Sequence, residues 1–309
     1  MPTRDRLLAG LVAVVWGLNF PATALALEHF PPLFMVALRF TLLAVPTLIF
    51  VPRPQVPLRW LVGVGLGIGL LQFAFLYLGM AAGMPSGLAS LVLQASAPFT
   101  VLLAGIFLGE RISRRQALGL AIAVGGLAAI AVHRAQVAAL LPVVLTLCGA
   151  LGWAIGNVCN RQARAPKPLH LTLWMSVVPP LPMLALSLVV EGPHAIGTSL
   201  ASSVTRAALP SVLGLLYIVV VATCLGYGIW TTLMSRHPSS VVAPFSMLVP
   251  VVGVLSSWLV FGETIDAVEA AAGAIVIGGV LLASAPPRRP PPEPTADPAV
   301  RPAEAAVQA

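Results

Sequence analysis

The chain has 309 residues, 58% of them hydrophobic and only 9% charged, with a mean hydropathy of +0.97. Soluble domains carry about 25% charged residues, so this chain lacks the charge to cover a water-facing surface and is read as a membrane protein. A pI of about 10.4 invites a nucleic-acid partner, but the arginines sit between apolar blocks and form no stripe, which excludes it.

Ten apolar segments are predicted in chain order: 7–27, 33–51, 60–80, 87–108, 116–132, 138–160, 170–190, 209–234, 239–261 and 267–285. Each is long enough to span a hydrocarbon core of about 30 Å, which takes about 20 helical residues. The first segment has a rival reading. Arg4 and Arg6 precede an apolar run ending in Ala22-Thr23-Ala24-Leu25-Ala26, the outline of a signal peptide with its cleavage site. Trp16 and Asn19 are echoed by Trp153 and Asn157 at the start of the second half, and a segment with a repeat partner is kept as structure. Cys148, Cys159 and Cys224 fall inside apolar blocks. They offer neither a disulfide framework nor C-x-x-C metal spacing, and are read as small packing residues. Residues 286–309 are rich in Pro and Ala with little to bury, and are expected to be a disordered tail.

The segments repeat. A shift of 153 positions carries Pro85-Ser86 onto Pro238-Ser239, Gly109-Glu110 onto Gly262-Glu263, and Gly125-Gly126 onto Gly278-Gly279, with no gap. Two unrelated apolar stretches would share Leu, Ala and Val but would not keep their punctuation in register, so the chain is an internal duplication. The expected units are 1–134 and 135–285, followed by the tail.

Loop charge orients the chain. The N-terminus, every second loop and the tail carry fourteen of the seventeen Lys and Arg residues; the opposite loops carry only Arg134 and Arg206. Such a bias places both termini in the cytoplasm. Five helices per repeat is an odd number, so the second repeat starts from the other side and the halves are inverted copies. The expected fold is therefore an all-α membrane protein of ten transmembrane helices in two inverted five-helix repeats. Inverted repeats supply inward-open and outward-open states by exchanging the conformations of the halves, with the substrate site near the midplane.

None of the ten Asp and Glu residues falls deep in a predicted helix, and the five His residues fall at helix ends or in loops. Proton relays and cation sites usually need such groups within the membrane, so no metal site and no side-chain proton carrier is expected. There is no carboxylate pair, His cluster or nucleophile with a base, and no cofactor motif. Gly63, Gly65, Gly67 and Gly69 do not match G-x-G-x-x-G; their spacing, like that of Gly152 and Gly156, suits helix packing.

Arg39 is the one charge within a span, about 10 Å past the start of its helix at 1.5 Å per residue. It suits bidentate recognition of a carboxylate. The alternative is an Arg that snorkels to the interface or ties down a carbonyl; both stay open. The remaining candidates for substrate contact are Trp16, Asn19, Gln72, Gln94, Trp153, Asn157, Tyr227, Trp230 and Ser246, with helix–helix bonding as the alternative for each amide. Pro98 and Pro250 fall mid-span at matching places in the two halves, with Pro244 nearby, and are candidate hinges. Gly109 and Gly262 suit helix C-caps; the glutamates after them are read as interfacial.

Several stretches resemble the EamA-type branch of the drug/metabolite transporter superfamily: VVWGLNF (14–20), PPLFMVALRF (31–40), QFAFL (72–76), GMPSGLASLVLQ (83–94), FLGER (107–111), VATCLGYGIW (221–230) and VAPFSMLVPVVG (242–253). The resemblance spans nearly the whole chain outside the tail. It implies ten helices in inverted repeats and export of small amino-acid metabolites, cysteine and O-acetylserine among them, across a bacterial inner membrane. Arg39 matches the A-x-x-L-R-F pattern of the second helix. Many members carry Lys in the first helix where this chain has Ala24. The rival functions are a broader drug or metabolite exporter of the same fold and a non-transporting membrane scaffold or enzyme.

Overall fold

The computed structural model describes residues 1–109, 112–137, 140–237 and 239–284. The expected tail, Glu110 and Pro238 lie outside these residues, as does the side chain of Pro244. The described residues are all helix and connecting turns, with no strand among them. The helices are α1 (Thr3–Leu27), α2 (Pro32–Phe50), α3 (Leu58–Ala81), α4 (Ser86–Leu108), α5 (Arg114–Val137), α6 (Leu141–Ala163), α7 (Pro168–Val190), α8 (Pro193–Ser202), α9 (Leu209–Arg236), α10 (Phe245–Phe261) and α11 (Ala267–Ser284). Eight of them are long and apolar enough to cross a membrane, at 19–28 residues; α10 and α11 are shorter apolar helices. The one element the sequence does not announce is α8, in a stretch expected to be a loop. Pro193 opens it at the first helical position, where a missing N–H costs nothing.

The bundle is apolar outside and holds polar groups within. Ile49, Phe50, Ile106, Phe107, Leu181 and Val189 are exposed, whereas Arg39, Gln72, Ser90 and Thr223 are buried. That distribution suits a lipid solvent and would fail in water. Far from being removable, α1 buries Ala9, Val12, Ala13, Phe20, Ala22 and Ala26 and packs on α9 and α10, which discards the signal-peptide alternative.

Helix packing crosses between the halves of the chain. α1 lies against α9 and α10, α6 lies against α3 and α4, and the pairs α2–α7, α4–α10 and α5–α11 complete the bundle. Small residues set these approaches. A Cβ on Gly67 would sit 2.4 Å from the Gly156 nitrogen, while one on Gly65 or Gly69 would strike Val178 or Pro179. The α3 glycines thus serve two neighbours: Gly67 fits α6 and Gly65 and Gly69 fit α7. At the α5–α11 seam, a Cβ on Gly126 would sit 2.8 Å from Ala272 O and 3.1 Å from Val276 N, and one on Gly279 would sit 2.7 Å from Gly119 O and 2.5 Å from Ala123 N. Each of these contacts is the other displaced by 153 positions.

Four departures from regular helix form two pairs, while a fifth, the 3₁₀ turn Met175–Val177 within α7, has no counterpart in α2. α3 is π-helical over Gly65–Leu71 and α9 over Tyr217–Leu225. α4 tightens to 3₁₀ at Leu93–Ala95, and Ala243–Met247 does the same at the start of α10. Pro98 and Pro250 follow these tight turns. A helical proline cannot donate to the carbonyl four residues back, so the preceding turn closes differently. Gly109 and Gly262 end α4 and α10 in the left-handed conformation, both at φ 65°, where any other residue is strained.

Polar contacts at the helix ends sort them into two sets. At one end the His237 ring meets Asp5 Oδ2 at 2.6 Å, and Trp174 Nε1 donates to Val51 O at 2.9 Å. At the other end Glu191 accepts from the Leu33 and Phe34 N–H groups at 2.7 and 2.9 Å, capping α2. There too His133 meets Asp266, and Glu263 caps α4.

Candidate functional site

The centre of the bundle is built around Arg39. Its side chain is 4% exposed. Nη1 donates to Tyr77 Oη at 2.7 Å and Nη2 to Thr223 Oγ1 at 3.2 Å. The guanidinium carbon lies 3.9 Å from the Phe73 ring centroid and 5.4 Å from that of Phe40, cation–π contacts that stabilise a desolvated cation by up to about 2 kcal/mol each. This is not a snorkelling arginine: the fork points into the protein, between α2, α3 and α9. Among the described residues no carboxylate bonds it, and Nε has no hydrogen-bond partner.

The π-helical stretches shape this environment. Thr223 Oγ1 donates to Ile218 O five residues back, at 2.8 Å, so its oxygen is oriented to receive Arg39. The adjacent Ala222 O accepts from Trp16 Nε1 at 3.0 Å. α1 and α2 therefore anchor on neighbouring residues of the same irregular segment. Trp16 also packs on Tyr227 and Trp230, with ring centroids 5.1 and 5.2 Å away. On α3, Gln72 immediately follows the π-helical stretch and precedes Phe73. Such bulges concentrate at functional sites because they re-aim side chains.

The other candidate residues divide. Asn19 Oδ1 and Gln72 Oε1 are buried with no hydrogen-bond partner among the described residues. Asn157 Nδ2 donates to Thr100 Oγ1 at 3.2 Å, joining α6 to α4, and Gln94 Nε2 reaches Met247 Sδ at 3.7 Å, joining α4 to the start of α10. Those two amides act as helix–helix bonds. Trp153 packs half-buried against Val64, Ile68 and Met175, and Ser246 is half-buried in the first turn of α10. Ser90 Oγ donates to Gly87 O at 2.6 Å within α4 and lies 3.3 Å from Pro250 O, which sets the α10 bend against α4. Tyr77 and Phe73, which hold the guanidinium, were not singled out from the sequence. Their signal was slight: an aromatic pair four residues apart, just past a glutamine in a glycine-rich helix.

Two features lie toward the end that carries the Glu263 contact. A cleft of about 450 Å³ is lined by Ala24, Leu27, Glu28, Met84, Ser86 and Glu263 among others. Nearby, His133, Asp266 and Glu269 bring potential ligand atoms within 4.8 Å of one another. Both Asp266 oxygens are committed there, Oδ1 to the Glu269 N–H at 2.9 Å and Oδ2 to His133. The Glu269 N–H, and after it the His133 ring, hold the Asp266 carboxyl below its ordinary value.

The described residues form a bundle of long apolar helices around a buried arginine and buried amides, the build of a multi-pass membrane protein. The sequence profile of the EamA-like transporter family matches residues 6–132 and again 140–285, and the chain belongs to that family. It is 43% identical over 288 residues to a probable amino-acid metabolite efflux pump of Salmonella typhimurium, covering 91% of this chain and 95% of that protein. A probable amino-acid metabolite efflux pump of Escherichia coli is 39% identical over the same shares. A probable terminal-alkyne amino-acid exporter of Streptantibioticus cattleyicolor is 25% identical over 88% of this chain and 90% of that protein. One crystal structure superposes with a TM-score of 0.58 at 19% identity, covering 92% of this chain and 98% of that one, which shows a shared fold.

Proposed function

We propose that this protein exports small amino-acid metabolites, cysteine and O-acetylserine among them, across a bacterial inner membrane by alternating access. Arg39 carries the proposal. Inserting an arginine at mid-membrane costs at least about 2.5–3.5 kcal/mol, and here two hydroxyls and two rings hold it with no carboxylate among the described residues. A fixed, uncompensated cation at the centre of a transporter suits a carboxylate passenger. The names of the 43% and 39% identical relatives point to the same chemical class.

The architecture behind it is ten membrane helices in two inverted repeats, 1–134 and 135–285, with both termini cytoplasmic. Supporting this are the paired π and 3₁₀ segments, the 153-residue symmetry of the α5–α11 seam, and the match of α1–α9 and α1–α10 packing by α6–α3 and α6–α4. Arg39 then stands where the halves meet, and Pro98 and Pro250 are hinges at corresponding bends. The test is counterflow in proteoliposomes with labelled cysteine, other amino acids and O-acetylserine. Uptake driven by trapped cysteine or O-acetylserine is expected; no flux of any carboxylate-bearing amino acid would overturn the proposal.

A further inference from the structure

Three buried polar atoms at the centre have no partner among the described residues: Arg39 Nε, Asn19 Oδ1 and Gln72 Oε1. Buried polar groups are nearly always satisfied, so each exception calls for a cause. These three have a pattern. One is a cationic donor and two are neutral acceptors. Their placement is linked: Trp16, one helical turn before Asn19, bonds Ala222, while Arg39 bonds Thr223 next to it. On α3, Phe73 stacks on the guanidinium, while the turn that carries Gln72 lies against Gly149 and Gly152 of α6.

We infer that Asn19 and Gln72 form an ammonium subsite beside Arg39, so that the transporter takes amino acids with a free, charged α-amino group and rejects N-acylated ones. The inference rests on the proposal that Arg39 receives the substrate carboxylate. An α-amino acid presents its two charges on one carbon. With the carboxylate at Arg39 Nε, the ammonium has three N–H donors to place, and a cation nearby makes another positive side chain unsuitable as a partner. Two amide oxygens supply the negative ends of dipoles at no net charge. The other amides at the centre, Gln94 and Asn157, already donate to helix neighbours. Acylation of the nitrogen removes its charge and two of its donors, and leaves a buried acceptor unpaired, which is where polar sites discriminate most strongly. An O-acyl group leaves the nitrogen untouched.

The test uses full-length protein in proteoliposomes, with counterflow of labelled cysteine competed by cysteine, N-acetylcysteine or 3-mercaptopropionate, which keeps carboxylate and thiol but has no nitrogen. In the wild type both analogues should compete at least about tenfold less well than cysteine, as expected for loss of a charge-assisted hydrogen bond. Asn19→Leu and Gln72→Met should each shrink the preference for cysteine over 3-mercaptopropionate several-fold, leaving 3-mercaptopropionate's own weak competition unchanged. Equal competition by N-acetylcysteine and cysteine in the wild type would overturn the subsite, a result that needs no variant to fold. An undiminished preference in both variants would overturn it too. Absence of counterflow for cysteine and O-acetylserine alike would instead remove the exporter proposal, and the subsite with it.

Discussion

Glu263, in the turn after α10, sits on the first turn of α4: its carboxylate accepts from the Ser86 N–H at 3.1 Å, the Ser86 hydroxyl at 3.0 Å and the Gly87 N–H at 3.0 Å. No acidic residue of α4 itself occupies that turn, so a residue 177 positions away supplies both the cap and the negative charge that the helix dipole favours. The same Ser86 hydroxyl lies 2.8 Å from Ser257 Oγ and shares its one proton between the two acceptors, completing a junction between the two family matches. Glu263→Gln keeps the shape and removes the charge. It should lower stability by about 1 kcal/mol, read as a lower thermal midpoint in detergent, and an unchanged midpoint would mean that the contact contributes nothing.

Arg39 is predicted to act on the carboxylate of the substrate. Arg39→Lys keeps charge but loses the planar fork and should weaken transport partly. Arg39→Gln should lose more, and lose it for amino acids more than for their methyl esters. Comparing acid and ester flux in both variants at matched expression is decisive: equal losses would make Arg39 a purely structural residue.

The α5–α11 seam predicts a pairwise contrast. Gly125 and Gly278 have open space where a Cβ would go, whereas Gly126 and Gly279 would place one 2.8 and 2.5 Å from facing backbone. Gly126→Ala and Gly279→Ala should each cost about 1–3 kcal/mol by overpacking. Gly125→Ala and Gly278→Ala should be tolerated. Thermal midpoints of the four variants measure this, and a seam that is symmetric in energy will show matching losses.

Asp266 carries a pH signature. Its carboxyl is held below the ordinary value of 3.8, so its folded pKa lies beneath its unfolded one. Its stabilisation is complete above the unfolded value and is lost as pH falls through the folded value. The stability gap between wild type and Asp266→Asn should therefore persist from neutral pH to about 5 and close below about 4. Urea or thermal unfolding at stepped pH values reads the gap directly.

Membrane topology tests the proposed architecture directly. Reporter fusions at the C-terminus and within residues 191–208 should report opposite sides of the membrane, the former cytoplasmic, given that fourteen of seventeen basic residues fall on one set of loops. Reporters on the same side would remove the inverted-repeat proposal.

The all-helical, membrane-spanning character of the chain was legible in the sequence because lipid imposes a one-dimensional rule. A span needs about 20 apolar residues, and its ends need glycine, proline or charge. Gly109 and Gly262 mark their C-caps in the sequence, and the spacings of Gly63, Gly65, Gly67 and Gly69 and of Gly152 and Gly156 mark helix packing, whereas the meeting of Gly67 with Gly156 is tertiary. α8 escaped because ten residues with four of Pro, Gly, His and Thr carry no such signature.

Only the tertiary structure decided what the polar residues do. Arg39 finds Tyr77 and Thr223 at sequence separations of 38 and 184, and nothing in a local pattern encodes that meeting. Asn19, Gln72, Gln94 and Asn157 are the same chemistry on paper. Folding gives Gln94 and Asn157 neighbours to bond and leaves Asn19 and Gln72 oxygens unpartnered. The physical reason is that hydrogen bonding is short-ranged and directional: a sequence can state that a polar group is inside, but only packing in three dimensions decides which atom stands within 3 Å of it.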